Sequence, residues 1–260
     1  MLLELNDIRM DYSDSRTEVF NLLDGVSMSV EAGKVTALIG GNGAGKTTLF
    51  NIISGFEKNF KGRVWFMGHD ITRKSAHRIS LMGLGRLFQG RQLMDDLTLM
   101  ENMKIASEDT VGEHPFDIFR PWKVAQSEAA KEQKAIDVLN KVFGENNKYL
   151  GMLDRKASEF SYGEQRLMAM ARLLMAKDQL LLLDEPTSGV NPSYINVFQR
   201  IIRDMVEKEG LSVLLIEHNM SFVRQVADWC FYLSDGKIVK SGPADMVLND
   251  TEVRRDYLGL

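Results

Sequence analysis

The fold of this chain is decided by one short stretch, Gly40-Gly41-Asn42-Gly43-Ala44-Gly45-Lys46-Thr47-Thr48. An apolar run at residues 35–39 precedes it and another at residues 49–53 follows it, which predicts a strand, a glycine-rich loop and a helix. Four residues separate Gly40 from Gly45, and Lys46 and Thr47 follow at once. That is the spacing of a phosphate-binding P-loop.

The residue types of this loop suit one class of ligand, a polyphosphate. Without Cβ atoms the backbone can curl, so that successive N–H groups and the positive end of the next helix point at one anion. In this interpretation Lys46 reaches the β and γ phosphates, the Thr47 hydroxyl ligates Mg²⁺, and Thr48 adds a phosphate contact. A glycine-rich turn that binds nothing is the alternative, but it needs neither the lysine nor the hydroxyl.

Composition describes an ordinary globular chain and argues against several classes. The 260 residues are 44% hydrophobic and 26% charged, and no uncharged apolar run approaches the roughly 18 residues of a membrane span. The first residues lack the basic and apolar regions of a secretion signal, so we expect a cytoplasmic protein. The single cysteine, Cys230, is expected to fill the core. A net charge of −4 provides no basic field, so no nucleic-acid partner is expected.

Residues 2–31 alternate apolar and polar side chains, which predicts antiparallel strands with a loop at residues 13–18. Tyr12 ends the first of these strands. There its ring either stacks on the purine of a nucleotide or is partly buried as an ordinary strand-end side chain. After the P-loop helix, residues 62–68 are typical of a returning strand and turn.

The middle of the chain is predicted to be helical. A strand ends in Gln89, and Thr98 with Glu101 forms a capping box that starts a helix. Helices are expected over residues 99–160, with loops at residues 112–121 and 144–148. An aromatic cluster stands near the first of these loops and either contacts a partner or packs inside; its members are Phe116, Phe119, Pro121 and Trp122.

The second half places polar side chains at the ends of buried strands. Ser161 is a predicted N-cap, with Glu164 closing its box, so the helix that follows offers a second anion site. The apolar run 179–183 ends in Asp184 and Glu185, where the crevice of an α/β sheet binds ligands. A further buried strand, residues 212–216, is followed by His218, which we expect to share the nucleotide site.

Together these segments resemble the ATP-binding-cassette (ABC) ATPases across almost the whole chain. The resemblance implies an α/β fold: a P-loop NTPase (RecA-like) mixed sheet flanked by helices, with an N-terminal antiparallel β subdomain and an α-helical subdomain. It implies a single domain, residues 1–260. Within it, residues 1–95 and 161–260 would form the catalytic core with the β subdomain, and residues 96–160 the helical subdomain.

The resemblance also assigns roles, with ATP and Mg²⁺ as the cofactors. Asp184 would hold Mg²⁺, Glu185 would polarise the attacking water, and His218 would hydrogen-bond the γ phosphate. Gln89 would sense the γ phosphate and Mg²⁺, beside Lys46. Phosphoryl transfer leaves little covalent work for the protein, so positioning and charge neutralisation should dominate.

Residues 161–165, here called the signature segment, resemble the family's signature motif; they are Ser161, Tyr162, Gly163, Glu164 and Gln165. In the family this segment of one chain caps the nucleotide bound by the P-loop of a second chain, which implies a homodimer or a heterodimer that forms with ATP. Tyr162 replaces the commoner glycine and Glu164 the commoner glutamine. A carboxylate near phosphates would weaken closure by repulsion unless it points elsewhere.

The expected function is that of the ATP-hydrolysing subunit of a membrane ABC transporter, peripheral to the inner face of the cell membrane. The partner would be an integral membrane transporter subunit, contacted most directly through residues 90–94. Residues 86–89, 188–192, 216–218 and 257–259 most resemble the ATPases of branched-chain amino acid or urea importers.

Alternatives stay open at this point. A soluble ABC ATPase acting on DNA or ribosomes shares the cassette but usually adds a coiled coil or a second cassette. A lipid exporter uses a similar cassette, so import against export is undecided. A small-molecule kinase would give no reason for the signature segment.

Overall fold

The computed structural model describes residues 1–14, 17–90, 93–107, 109, 111, 119–145 and 147–258, with the side chains of residues 12–20 and 256–258 outside the description. The chain separates into two compact units. The first unit comprises Met1–Arg86, Gln179–Ser188 and Ile195–Leu260, and the second comprises Leu87–Asp178 and Gly189–Tyr194. The subdomain division at residues 96–160 stays a prediction.

The regular elements of the described residues follow in chain order. The strands are β1 (Leu3–Asp14), β2 (Thr17–Val30), β3 (Val35–Gly40), β4 (Lys61–Phe66), β5 (His69–Asp70), β6 (Leu84–Leu87), β7 (Leu180–Asp184), β8 (Ser212–Ile216), β9 (Trp229–Ser234) and β10 (Lys237–Pro243). The helices are α1 (Lys46–Ile53), α2 (Ala76–Ser80), α3 (Leu99–Ile105), α4 (Pro121–Phe143), α5 (Tyr162–Leu173), α6 (Ile195–Glu207), α7 (Met220–Val226), α8 (Ala244–Leu248) and α9 (Thr251–Leu258). Short 3₁₀ turns lie at Lys148–Met152, Ala157–Glu159 and Pro192–Tyr194.

The antiparallel sheet of the first unit has the strand order β2-β1-β4-β5. Leu3 is the Cα partner of Val30 on one side and of Phe66 on the other. The loop predicted at residues 13–18 is wrong in length, because Ser13 pairs with Val19 and Asp14 with Thr17, so that residues 13–14 and 17–18 belong to the strands. Residues of high strand propensity, Tyr12, Val19 and Phe20, flank this segment, and the pairing of the two strands prevailed over the local turn signal.

The larger sheet has the order β10-β9-β3-β8-β7-β6. Strand β3 is parallel to β8 and β9, and β7 is parallel to β8. Every residue of β3, β7 and β8 is buried, as expected of parallel strands that are covered on both faces. The antiparallel pair β9 and β10 turns at Asp235 and Gly236, both with positive φ, which confirms the predicted hairpin. The predicted mixed sheet flanked by helices is confirmed.

One apolar core joins the two sheets of the first unit. Leu3, Phe50, Phe66, Leu182 and Leu214 belong to it. A second cluster contains Cys230, which is fully buried as predicted. Burial raises the pKa of this thiol to about 12, so it is inert as a nucleophile at neutral pH.

The second unit contains α3, α4 and α5. The predicted capping box is confirmed, since the Thr98 hydroxyl accepts a hydrogen bond from the Glu101 N–H at 3.1 Å and the Glu101 carboxylate accepts one from the Thr98 N–H at 2.8 Å. Pro121 begins α4, the position at which its missing N–H costs least, so this helix starts one residue earlier than predicted. Phe119 and Trp122 are 75% and 65% exposed, whereas Phe116 lies outside the described residues.

The helix predicted to continue through residues 149–160 is absent there: two short 3₁₀ turns, Lys148–Met152 and Ala157–Glu159, are separated by irregular chain. Within the part of the chain that the structure describes, no helix has both the length and the apolarity required to cross a bilayer.

Close packing at the junction between β3 and the P-loop predicts that a side chain at Gly40 would lower stability. A Cβ atom at Gly40 would lie 2.2 Å from the Leu233 carbonyl oxygen, whereas one at Gly41 would meet nothing within 4 Å. We expect Gly40→Ala to lower the free energy of unfolding by about 1–3 kcal/mol, the usual cost of forcing extra volume into a packed site.

Gly41→Ala is the matched control and should change stability by less than about 0.5 kcal/mol. Urea denaturation of both variants measures the difference. Equal stabilities would contradict the packing of Gly40 against β9.

Candidate functional site

The P-loop runs from the end of β3 to the start of α1. Gly45 is the residue before α1 and has a φ of 99°, a left-handed conformation that favours glycine. A Cβ atom there would lie 2.8 Å from Leu23 Cδ2. The loop therefore packs against the antiparallel sheet and leads directly into the N-terminus of α1, a position that favours an anion.

Lys46 turns back over the loop. Its Nζ donates hydrogen bonds to the carbonyl oxygens of Gly40 and Gly41, both at 2.8 Å, and the residue is only 6% exposed. Burial lowers the pKa of Lys46, while the carboxylates of Glu185 and Asp184 act in the opposite direction. The ammonium group thus lies within the electrostatic reach of both acids.

The pairing of β7 with β8 determines where the two predicted acids, Asp184 and Glu185, lie. Asp184 is the Cα partner of Ile216, so β7 and β8 end at the same edge of the sheet. Asp184 is 1% exposed, and its Oδ2 lies 3.3 Å from Arg86 Nη2. Arg86 also donates to Asn51 Oδ1 at 2.9 Å and Ser54 Oγ at 2.7 Å. This buried carboxylate therefore has a cationic partner inside the unit.

Glu185 lies one residue beyond β7 and His218 two residues beyond β8, and their side chains meet. Oε1 of Glu185 lies 2.8 Å from Nε2 of His218. Glu185 has a φ of 47°, an uncommon conformation that costs a residue other than glycine of order 1–3 kcal/mol and recurs at active sites. Its N–H is anchored to the Ile216 carbonyl at 2.9 Å. The strained backbone aims the carboxylate toward the histidine.

These groups share a cavity of about 190 Å³ in the first unit. Its lining combines the P-loop with the acid and the histidine: Leu22, Asn42, Gly43, Ala44, Gly45, Lys46, Thr47, Thr48, Glu185 and His218. The structure therefore brings together the predicted phosphate loop and the predicted general base. The Tyr12 side chain, predicted to stack on a purine, lies outside the described residues.

The sequence predicted no role for Glu217 or Arg86. Glu217 is 3% exposed, and its carboxylate accepts hydrogen bonds from the Thr187 N–H at 2.9 Å and the His218 N–H at 3.0 Å. It ties the loop after Glu185 to the loop that carries the histidine. A charged residue inside each strongly apolar stretch was the only signal in the sequence.

The signature segment lies in the second unit, at the start of α5. Ser161 caps the helix as predicted: its Oγ accepts a hydrogen bond from the Glu164 N–H at 3.4 Å and donates one to Glu164 Oε2 at 2.8 Å. Gly163 is beside the ring of Tyr194, and Tyr162 is exposed. The amide of Gln165 is buried and donates to the carbonyls of Ala157 and Phe160. Its predicted contact with nucleotide gains no support from this geometry.

Glu164 points toward a lysine and a tyrosine. Oε1 of Glu164 lies 2.6 Å from Lys148 Nζ and accepts a hydrogen bond from the Tyr149 hydroxyl at 3.2 Å. Burial opposes ionisation, but the hydrogen bonds from Lys148 and Ser161 outweigh it and lower the pKa of Glu164 to about 2. Burial and the Glu164 charge raise the pKa of Tyr149 to about 12. The negative charge in the signature segment is therefore balanced locally.

Gln89 also belongs to the second unit and is exposed. The buried guanidinium of Arg166, on α5, donates to the carbonyls of Phe88 at 2.9 Å and Gly90 at 2.8 Å. These two carbonyls flank Gln89 in the chain. Arg166 thus joins the segment that carries Gln89 to the signature helix, a link that the sequence did not reveal.

Comparison with known proteins agrees with this arrangement. The family model described as ABC transporter matches residues 23–188. A probable branched-chain amino acid transport ATP-binding protein, LivG, from Methanocaldococcus jannaschii is 34% identical over 92% of each chain. The high-affinity branched-chain amino acid transport ATP-binding protein BraF from Pseudomonas aeruginosa is 30% identical over 91% of each.

Solved structures agree as well. A nucleotide-free ATP-binding cassette from an ABC transporter has a TM-score of 0.79 at 33% identity, covering 100% of this chain and 99% of the other. The ADP conformation of MJ1267, also an ATP-binding cassette of an ABC transporter, has a TM-score of 0.80 at 32% identity with the same coverage. The chain belongs to the ABC transporter family, as its sequence predicted. It is the nucleotide-binding, ATP-hydrolysing subunit of a transporter of that family.

The Lys148–Glu164 pair predicts a pH-dependent stability. Because the pKa of Glu164 is lowered in the folded state, its contribution to stability is complete above its ordinary pKa and is lost as pH falls toward 2. Lys148→Ala should therefore destabilise the chain by up to about 1 kcal/mol at neutral pH, since Lys148 is half exposed. The difference from the parent should vanish in acid.

Denaturation midpoints measured across the acid range test this expectation. Lys123→Ala is the control, because Lys123 is an exposed lysine of the same unit. It should change stability by less than about 0.5 kcal/mol at every pH. A Lys148→Ala difference that persists unchanged in strong acid would contradict the pairing.

Proposed function

We propose that this chain is the ATPase of an importer for branched-chain amino acids or related small solutes. Its family supplies the ATP-hydrolysing role, and the relatives named above supply the narrower proposal, since they are themselves described as branched-chain amino acid transport ATP-binding proteins. Both relatives align over nearly the whole chain. The observation that carries the proposal for the site is the meeting of Lys46, Glu185 and His218 around one cavity.

The phosphates are proposed to bind to the P-loop, residues 40–48. Here Lys46 exchanges its hydrogen bonds with the Gly40 and Gly41 carbonyls for contacts to the β and γ phosphates. The helix N-terminus and the loop N–H groups supply the remaining positive field. The ammonium group already lies over the loop, so phosphate binding requires only a short movement of the Lys46 side chain.

The residues present fit Mg²⁺. Among the described residues no cluster of three His, Cys, Asp or Glu side chains forms a metal cage. Mg²⁺ commonly takes one or two carboxylates together with substrate phosphates and water. We assign Asp184 and the Thr47 hydroxyl to this ion, which would neutralise charge on the phosphates. The role of Gln89 toward the ion stays a prediction of the resemblance.

Glu185 and His218 are proposed to prepare the attacking water. Glu185 Oε1 accepts a hydrogen bond from that water as general base, and His218 Nε2 holds the carboxylate in line and contacts the γ phosphate. Glu217 acts as a positioning residue through its bonds to the Thr187 and His218 backbones. The chemistry is dominated by placement rather than by covalent steps.

The signature segment is proposed to act on the nucleotide of a second cassette chain, identical or not. Ser161 and Gly163 would face the γ phosphate, with Tyr162 and Glu164 beside them. The network of Glu164 with Lys148 and Tyr149 supports this proposal, because it compensates the charge that would otherwise repel the phosphates.

The proposed membrane partner is an integral transporter subunit, with this chain bound at the inner face of the membrane. The contact to that subunit was predicted at residues 90–94, of which residues 91–92 lie outside the described residues.

Glu185→Gln tests the catalytic assignment. We expect ATP hydrolysis to slow by roughly 10²- to 10⁴-fold, the usual contribution of a positioned base, while nucleotide affinity stays within about a factor of three. Steady-state phosphate release and nucleotide binding, measured on the pure protein, separate the two effects. Glu145→Gln, at an exposed position, is the control and should keep the parent rate. Unchanged hydrolysis in Glu185→Gln would refute the role of Glu185.

Uptake by cells tests the cargo. Deletion of the coding sequence should abolish uptake of labelled leucine, isoleucine or valine. The wild-type chain should restore it, whereas Glu185→Gln should not. Affinity purification from detergent-solubilised membranes should recover an integral membrane subunit. Loss of some other solute's uptake would keep the ATPase assignment and overturn the cargo.

A further inference from the structure

A second cavity of the first unit has no part in the proposed ATPase mechanism. It measures about 800 Å³ and lies between β4, β5 and the start of α2. That volume falls in the range of small-molecule sites. Its lining is dominated by cationic side chains: Lys58, Gly62, Arg63, Asp70, Thr72, Arg73, Lys74, Ser75 and Arg78.

The charge of this lining is opposite to that of the chain. Lys58, Arg63, Arg73, Lys74 and Arg78 set five positive charges against one carboxylate, within a chain whose net charge is −4. Like charges gathered around one concave surface repel one another unless an anion lies between them. The cavity is therefore an electropositive region in an acidic protein.

The single carboxylate leaves most of this charge uncompensated. Asp70 accepts a hydrogen bond from the Thr72 N–H at 2.9 Å, and its pKa is lowered first by Thr72 and to a lesser degree by the charges of Arg63 and Lys74. Among the residues that the structure describes, neither Lys58 nor Arg78 forms a salt bridge. Their donors remain available to a ligand.

One of the cations is held in position by the fold. Arg73 donates to the backbone carbonyls of Lys58 and Phe60, and its guanidinium carbon lies 5.3 Å from the centre of the Phe60 ring. These contacts tie the segment before α2 to the chain that leaves α1. The wall of the cavity is thereby organised before any ligand arrives, which reduces the entropy cost of binding.

We propose that this basic cavity binds a phosphate-bearing anion with more than one negative charge. Arg63 and Arg78 contact its oxygens as planar forks, the geometry in which guanidinium groups bind phosphate. Lys58 and Lys74 add point charges at the rim. A free di- or polyphosphate and the phosphate of an anionic lipid headgroup share this chemistry.

The test uses the full chain saturated with ADP, so that the P-loop is filled, and inorganic pyrophosphate as the probe. Isothermal titration should find one further pyrophosphate bound per chain. The double variant Arg63→Glu/Arg78→Glu should weaken this binding at least about tenfold, because it removes two charge-assisted contacts and adds two repulsive charges. ATP hydrolysis and the thermal midpoint of the variant report whether its fold is intact.

Lys123→Glu/Arg254→Glu is the matched control. It changes the net charge equally, but neither residue lines the cavity, and both are exposed on other elements, α4 and α9. This variant should keep the affinity for pyrophosphate within about a factor of two, since distant surface charges are largely screened by salt. An equal loss in both double variants would show a diffuse charge effect and overturn the site.

A flotation assay distinguishes the two sources of phosphate. Vesicles of phosphatidylcholine with phosphatidylglycerol should retain the parent chain and release Arg63→Glu/Arg78→Glu if the ligand is a headgroup, whereas a free anion would leave both chains unbound. Either result, with its cavity-dependent loss, supports the site. Undiminished pyrophosphate binding by the cavity variant overturns it, as does binding of a single-stranded oligonucleotide without any response to pyrophosphate or vesicles.

Discussion

The parallel pairing of β7 with β8, and of β8 with β3, is the constraint on which the proposed catalytic arrangement depends. Because Leu183 pairs with Leu215 and Asp184 with Ile216, both strands reach the edge of the sheet in step. Glu185 and His218, each just beyond that edge, then meet at 2.8 Å. Strand β3 stops at the same edge, so the P-loop opens beside them. A slip of one residue would turn every side chain of a strand to the other face and separate the pair.

Features written in a continuous run of residues could be predicted from the sequence. The P-loop, the buried strands and the caps at Thr98 and Ser161 each need only a few neighbouring side chains, and the structure has them. Contacts between distant segments could not be foreseen. Arg86 and Asp184 are 98 positions apart, and only the register of the sheet shows that they meet. The loop predicted at residues 13–18 failed for a related reason, since strand pairing across the turn outweighed the local signal.

Strain and support are combined at Glu185. Its left-handed backbone is unfavourable for a residue with a side chain, and it persists because neighbouring bonds hold both sides of it. The Ile216 carbonyl fixes the Glu185 N–H, and Glu217 joins the following loop to the histidine. The residues around Glu185 therefore matter as much to its proposed role as a base as the carboxylate itself does. The sequence motif identifies the Glu185 carboxylate, and the structure shows which contacts hold it in position.

The ion pair of Asp184 with Arg86 has a consequence for how the protein rests between turnovers. A carboxylate removed from water would ordinarily take up a proton or destabilise its surroundings. Here the arginine serves as an internal counterion, held in turn by Asn51 and Ser54 on and just after α1. The Asp184 carboxylate is thus balanced by a guanidinium that belongs to the fold itself. Since we propose Asp184 as a ligand of Mg²⁺, binding of the ion would require this carboxylate to give up its tethered guanidinium, and Arg86 would take the carboxylate back afterwards.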